Sequence, residues 1–144
     1  MNLNYSFQSY KSVATQTAPP GRLVLMLYEG AIRFLEEALG GFQLEDPKEF
    51  HETINNNIIR AQDILFELDS SLDLERGGDL AMTLRRLYNY MYTRLTHSNA
   101  AKTPDGIEDA IDRLSTLRDA WRGMLEQQQD AWLEGEPRAV LAMA

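Results

Sequence analysis

The 144-residue sequence contains no cysteine, which removes disulfide frameworks, thiolate metal sites and thiol nucleophiles at once. Such a chain suits a reducing compartment. Histidine is nearly as scarce, with only His51 and His97. A di-iron carboxylate bundle needs a Glu three residues before a His on each of two helices. Lys48 and Arg94 stand at those places instead, so that metal chemistry is excluded. Long apolar runs are also missing. The longest, residues 23–28, spans six residues, against the ~20 of a membrane-crossing helix. The N-terminus shows no charged stretch leading into an apolar one, so the expectation is a soluble cytoplasmic protein without a cleaved signal and without membrane insertion.

Acidic residues are unevenly spread. None occurs before Glu29, and the first 28 residues carry only Lys11 and Arg22, yet the whole chain holds 22 acids against 14 bases, a net charge of −8. That balance argues against nucleic acid as a partner, because its binding depends on neutralising phosphates with Lys and Arg. The length suits one domain with one core.

Residues 1–18 are rich in Ser, Thr, Asn and Gln, with Tyr5, Phe7, Tyr10 and Val13 spaced among them. Neither a helical nor a strand period holds there, which predicts a flexible arm. Beyond Pro19-Pro20-Gly21, four segments carry helical periodicity. The first, from about Pro20 to Leu39, stops at Gly40-Gly41 and is apolar round most of its circumference, which predicts the most buried helix. The second opens on Asp46 as N-cap with Pro47 and Glu49 behind it, and its stripe is Ile54, Ile58, Ala61, Leu65, Leu68 and Leu72. The third is expected to follow Gly77-Gly78 with Asp79 as cap, carrying Leu80, Leu84, Leu87, Met91 and Leu95. The fourth begins at Thr103-Pro104-Asp105 and continues through Ile107, Ile111, Leu114, Leu117, Trp121 and Leu125, ending after Gln127. No segment reads as a strand. Four helices with short connections favour antiparallel neighbours, so the predicted fold is an all-α, up-down four-helix bundle over residues 19–129, followed by a C-terminal tail at 130–144.

Chemistry is hard to find on this scaffold. His97, within Thr96-His97-Ser98-Asn99-Ala100-Ala101-Lys102, sits near a helix end without the glycine and close basic neighbour of a phosphotransfer histidine. Asp105, Glu108, Asp109 and Asp112 form an acidic face at the start of the fourth helix, where the helix dipole and water both favour acids. A solvated face explains them. No nucleophile–base pair or phosphate-cradling glycine loop remains, so the expectation is a non-enzyme with no cofactor and no metal.

What is left is apolar surface in excess of one core. Tyr88, Tyr90, Met91 and Tyr92 crowd one stretch of the third helix, and at 100° per residue they cannot share a face. Ile59, Ile64 and Phe66 lie partly off the stripe of the second. Aromatic and Met side chains off the core stripe suit a groove for a partner helix. Residues alone leave open a binding module, a regulatory bundle of phosphotransfer type, and a structural oligomer.

Several stretches, taken together, resemble the flagellin export chaperone family, FliS. They are Tyr10-Lys11-Ser12-Val13, leading into Thr17-Ala18-Pro19-Pro20-Gly21-Arg22-Leu23-Val24-Leu25-Met26-Leu27-Tyr28-Glu29-Gly30; Ile59-Arg60-Ala61-Gln62-Asp63-Ile64-Leu65-Phe66-Glu67-Leu68; Leu84-Arg85-Arg86-Leu87-Tyr88-Asn89-Tyr90-Met91-Tyr92, with Asn99; and Leu117-Arg118-Asp119-Ala120-Trp121. The likeness covers about residues 5–125 in order and spacing; the tail with Trp132 fits no part of it. It implies a helical bundle that binds the C-terminal segment of flagellin, blocks its premature polymerisation and delivers it to the flagellar type III export apparatus. It places the groove on the second and third helices, with Ile58, Ala61, Gln62, Leu65, Leu84, Tyr88, Met91 and Leu95 as contacts. Tyr5 and Tyr10 would belong to an arm covering the empty groove, and Leu27 and Trp121 to the core. Members of such a family can also contact an anti-sigma factor and the export-gate membrane protein.

Overall fold

A left-handed residue starts the first helix. Gly21 sits at φ 85°, a conformation open to glycine at little cost, and its carbonyl accepts a 2.9 Å bond from Trp121 Nε1. The computed structural model describes residues 21–133, and α1 (Arg22–Gly41) runs from this anchor. It carries nine buried residues, the most of any of the first three helices. Gly41 ends it where a Cβ would lie 3.0 Å from side-chain atoms of both Ile54 and Thr53, so glycine lets α1 close on its neighbour there.

The second helix, α2 (Pro47–Ser70), begins as its sequence dictates. The Asp46 side chain accepts the Glu49 N–H at 3.0 Å, satisfying one of the donors that a helix start leaves free. The third, α3 (Leu74–Ala101), starts earlier than expected. Asp73, and not Asp79, is the cap, accepting the Arg76 N–H at 3.1 Å. One helical turn precedes Gly78, whose φ of 52° and ψ of −129° break the helix without ending it. The Gly-Gly pair is therefore a kink within α3. Lys102, at φ 53°, closes α3, and α4 (Asp105–Leu133) follows. Gly106 meets α3 so closely that a Cβ would lie 2.6 Å from the Arg94 carbonyl oxygen, and its N–H is accepted by the buried Ser98 hydroxyl at 2.9 Å.

Connections of a few residues between helices this long force each helix antiparallel to the next. α1 packs on α2 and α4, and α3 packs on the same two, which gives the expected up-down four-helix ring; no strand occurs among the described residues. The core stripe of α2 (Ile54, Ile58, Ala61, Leu65, Leu68) is buried, as are Leu27 and Trp121. Ile64 is buried too, so it belongs to the interior and not to an outer face. Across the ring, the Tyr28 and Tyr88 hydroxyls hydrogen-bond at 2.5 Å, giving each other a partner in an otherwise apolar centre. Burial pushes both phenols above their ordinary range. Helix α4 continues to Leu133, past the position where the bundle was expected to close. The arm with Tyr5 and Tyr10 lies outside the described residues.

Candidate functional site

The seam between α2 and α3 is tied by polar bridges along its length. Gln62, buried within α2, donates through Nε2 to the Tyr92 carbonyl at 3.0 Å and to the Thr96 hydroxyl at 2.9 Å on α3. Asn99 Nδ2 donates to Asn55 Oδ1 at 2.9 Å, and Lys102 Nζ donates in turn to the Asn99 carbonyl at 2.8 Å. At the other end, Arg85 Nε donates to Asp69 Oδ1 at 3.2 Å. Three polar bridges thus pin the two helices along one flank, where side-chain interdigitation would otherwise be expected.

Between the Gln62 bridge and the Arg85–Asp69 pair the surface opens into a groove of about 180 Å³, lined by Leu65, Phe66, Asp69, Tyr88, Asn89 and Tyr92. Phe66 is 67% exposed and Tyr92 43% exposed. An aromatic ring left that open by a single chain is unusual for packing and normal for a protein-binding surface. The floor is firm, because Tyr88 is tied to Tyr28 beneath it. Helical geometry explains the arrangement: Phe66 stands 100° round α2 from Leu65, one residue outside the core stripe.

Of the eight contacts expected from the sequence, the structure brings two, Leu65 and Tyr88, to the groove lining. Ile58, Ala61, Leu84, Met91 and Leu95 are interior residues of the core. Gln62 is the buried crosslink described above. The rim consists instead of Phe66, Asn89 and Tyr92. Phe66 and Tyr92 were conspicuous as aromatic residues off the core stripe, whereas Asn89 gave no signal.

On the opposite flank of α3, Asp109 of α4 accepts the Tyr90 hydroxyl at 2.9 Å and pairs with Arg113 at 2.9 Å and Arg94 at 3.4 Å. Partial burial works against its charge, but the bonds from Tyr90 and Arg113 and the nearby Arg113 and Arg94 charges hold it below the usual carboxylate range. Asp109 therefore departs from the solvated acidic face expected of it, while Asp105, Glu108 and Asp112 are exposed. Both histidines are exposed, and among the described residues no group of His, Cys, Asp and Glu could hold a metal ion. No described helix is long and apolar enough to cross a membrane.

A four-helix bundle with a firm-floored aromatic groove has the build of a protein-binding module. Comparison with known proteins gives that module its class. The profile of the flagellar protein FliS family matches residues 2–129. The chain is 30% identical to the flagellar secretion chaperone FliS of Bacillus subtilis over 129 residues, covering 90% of this chain and 92% of the relative. It is 32% identical to the protein of that name from Vibrio cholerae over 120 residues, covering 81% and 85%. Flagellar secretion chaperone FliSB of Pseudomonas aeruginosa is 30% identical over 123 residues, with 83% and 94% covered. The chain belongs to the FliS family, a family of chaperones and not of enzymes.

Proposed function

We propose that this protein is a cytoplasmic export chaperone that holds the C-terminal helical segment of flagellin against the α2–α3 seam. Binding there keeps the segment from polymerising early and delivers it to the flagellar type III export apparatus. The observation that carries the reading is the groove of Phe66, Asn89 and Tyr92 over a floor of Leu65 and Tyr88. Membership of the FliS family supports the chaperone class, and the relatives' shared name supports a flagellar client.

The physics of such a client is consistent with the site. A segment that packs helix on helix in a filament carries an apolar stripe, and it is exposed until the filament forms. A rigid groove with aromatic anchors can cover that stripe while the segment gains helix, at an entropic cost that keeps the complex reversible. Leu65 and Tyr88 support the occupant from below, and Ile58, Ala61, Gln62, Leu84, Met91 and Leu95 act one layer down by setting the distance between α2 and α3. Tyr5 and Tyr10 are proposed to shield the groove until the client arrives. The export-gate membrane protein and an anti-sigma factor are further proposed partners.

Calorimetric titration of the full chain with a peptide from the C-terminus of its cognate flagellin tests the reading. The expected result is one-to-one binding with a negative heat-capacity change and a gain in helical circular dichroism. A folded protein that gives no heat with that peptide would remove flagellin as the client.

A further inference from the structure

Residues 80–104 contain no Asp or Glu, but they include Arg85, Arg86, Arg94 and Lys102. Since the chain holds 22 acids and 14 bases, the remainder has 22 acids against 10 bases, a net −12 beside +4. That acid-free stretch is most of α3 and its exit. Two of its charges are used on the groove side or the helix end: Arg85 pairs with Asp69, and Lys102 bonds to Asn99.

The other flank is different. Arg94 from α3 and Arg113 from α4 converge on one carboxylate, Asp109, which also accepts the Tyr90 hydroxyl. One negative charge there faces two guanidiniums, whose side chains remain 40% and 44% exposed. The Arg113 guanidinium lies 4.7 Å from the centroid of the Tyr90 ring, and that ring is 43% exposed. Helical spacing sets Arg86, Tyr90 and His97 along the same outward stripe of α3, and all three are exposed. Beyond the cluster, the exposed Asp105, Glu108 and Asp112 give α4 an acidic margin. An occupant of this flank must therefore lie along α3.

We infer that the α3–α4 flank is a second docking surface, and that it takes an acidic segment of a partner protein. The carboxylates of that segment meet Arg86, Arg94 and Arg113, and an apolar side chain rests on Tyr90. Guanidinium forks match carboxylates in geometry as well as charge, and a patch of this sign on a strongly acidic protein steers an acidic segment to one place. A second copy of the chain would bring its own acidic α4 margin to these arginines, and sedimentation separates that case from an acidic partner. Nucleic acid would be repelled by the −12 of the remaining surface. Tyr90 and Tyr92 stand about 200° apart round α3, so the flank and the groove can be filled together.

The test uses the full chain and a fluorescent amphipathic peptide of about 15 residues built from Glu, Leu and Ala, with a Gln-for-Glu version as control. Fluorescence anisotropy at low salt is expected to show the acidic peptide binding roughly 10-fold or more tightly than the Gln peptide, with the difference shrinking as salt is raised. Arg86→Gln with Arg113→Gln is expected to cost roughly 10-fold or more of that affinity, and saturating flagellin C-terminal peptide should not displace the probe. Fold is retained in this variant because Asp109 keeps Arg94 and Tyr90, which thermal melting checks. Arg76→Gln, at the far end of α3, is expected to change nothing. Equal binding of the two peptides, an equal loss with Arg76→Gln, or displacement by the flagellin peptide would overturn the proposal. So would self-association in sedimentation that Arg113→Gln abolishes, or tighter binding of a single-stranded oligonucleotide than of the acidic peptide.

Discussion

Two adjacent residues of α2 separate binding from stability. Phe66 is 67% exposed and Leu65 is 1% exposed, although both line the groove. A Phe side chain offers roughly 200 Å² to a partner, so about two thirds of it, ~130 Å², remains to be covered on binding. At ~25 cal/mol per Å² that area is worth about 3 kcal/mol, of which Ala would retain a minor part. Phe66→Ala should therefore cost about 2 kcal/mol of client affinity, a Kd roughly 30-fold weaker. Its effect on folding should stay within about 0.5 kcal/mol, as for other exposed positions. Leu65→Ala removes a fully packed side chain and should cost about 2–5 kcal/mol of stability. Calorimetric titration with the flagellin peptide, paired with thermal melts, reads both quantities. The reasoning fails if Phe66→Ala binds like the parent, or if Leu65→Ala melts like the parent.

Other positions give independent checks. Gly106→Ala drives a methyl into the Arg94 carbonyl and the Ser98 hydroxyl, so overpacking and loss of the Ser98 bond should lower stability by about 2–4 kcal/mol in denaturant titration. Tyr28→Phe or Tyr88→Phe alone strands the other hydroxyl in the core and should cost about 1–3 kcal/mol, whereas the double variant should lie closer to the parent than the sum of the singles. The same pair predicts alkaline sensitivity. Burial raises both phenols in the folded protein, so stability holds below about pH 10 and falls as the unfolded chain ionises above it. In the double variant that decline should flatten in pH-dependent melts. Asp109 runs the opposite way: its folded pKa is depressed, so its contribution is present above the unfolded value near ~4 and is lost as pH falls through the folded one. Asp109→Asn should melt lower at neutral pH and lose less on acidification.

The readable part of this protein is the part fixed by local chemistry. Asp46-Pro47 announces the start of α2 because a cap and a proline act within one turn. The α2 stripe announces its buried face because helical period follows from geometry alone. Gly77-Gly78 misled for a related reason: glycine marks places where the backbone leaves the helix, but it does not say whether the chain resumes it, and here Asp73 had already started α3. The groove was less legible. Periodicity separates apolar positions from polar ones, yet core and groove residues of α2 and α3 are both apolar, so Met91 and Leu95 could not be told from surface residues without the neighbours that cover them. Gln62 was expected as a contact from the resemblance, whereas its partners, Thr96 and the Tyr92 carbonyl, which make it a buried crosslink, lie thirty or more residues away. Asp109 was hidden likewise, since the groups that set it apart from Asp105, Glu108 and Asp112 include Tyr90 and Arg94 on another helix.

That the α2–α3 seam receives the flagellin tail is tested most directly by amide NMR of the labelled full chain during titration with the flagellin C-terminal peptide. The account predicts that perturbations gather at Phe66, Asn89 and Tyr92, with smaller ones at Leu65 and Tyr88, while the outer face of α4 around Glu108 and Asp112 stays unchanged. Perturbations centred on α1 or α4, with Phe66 and Tyr92 silent, would contradict it.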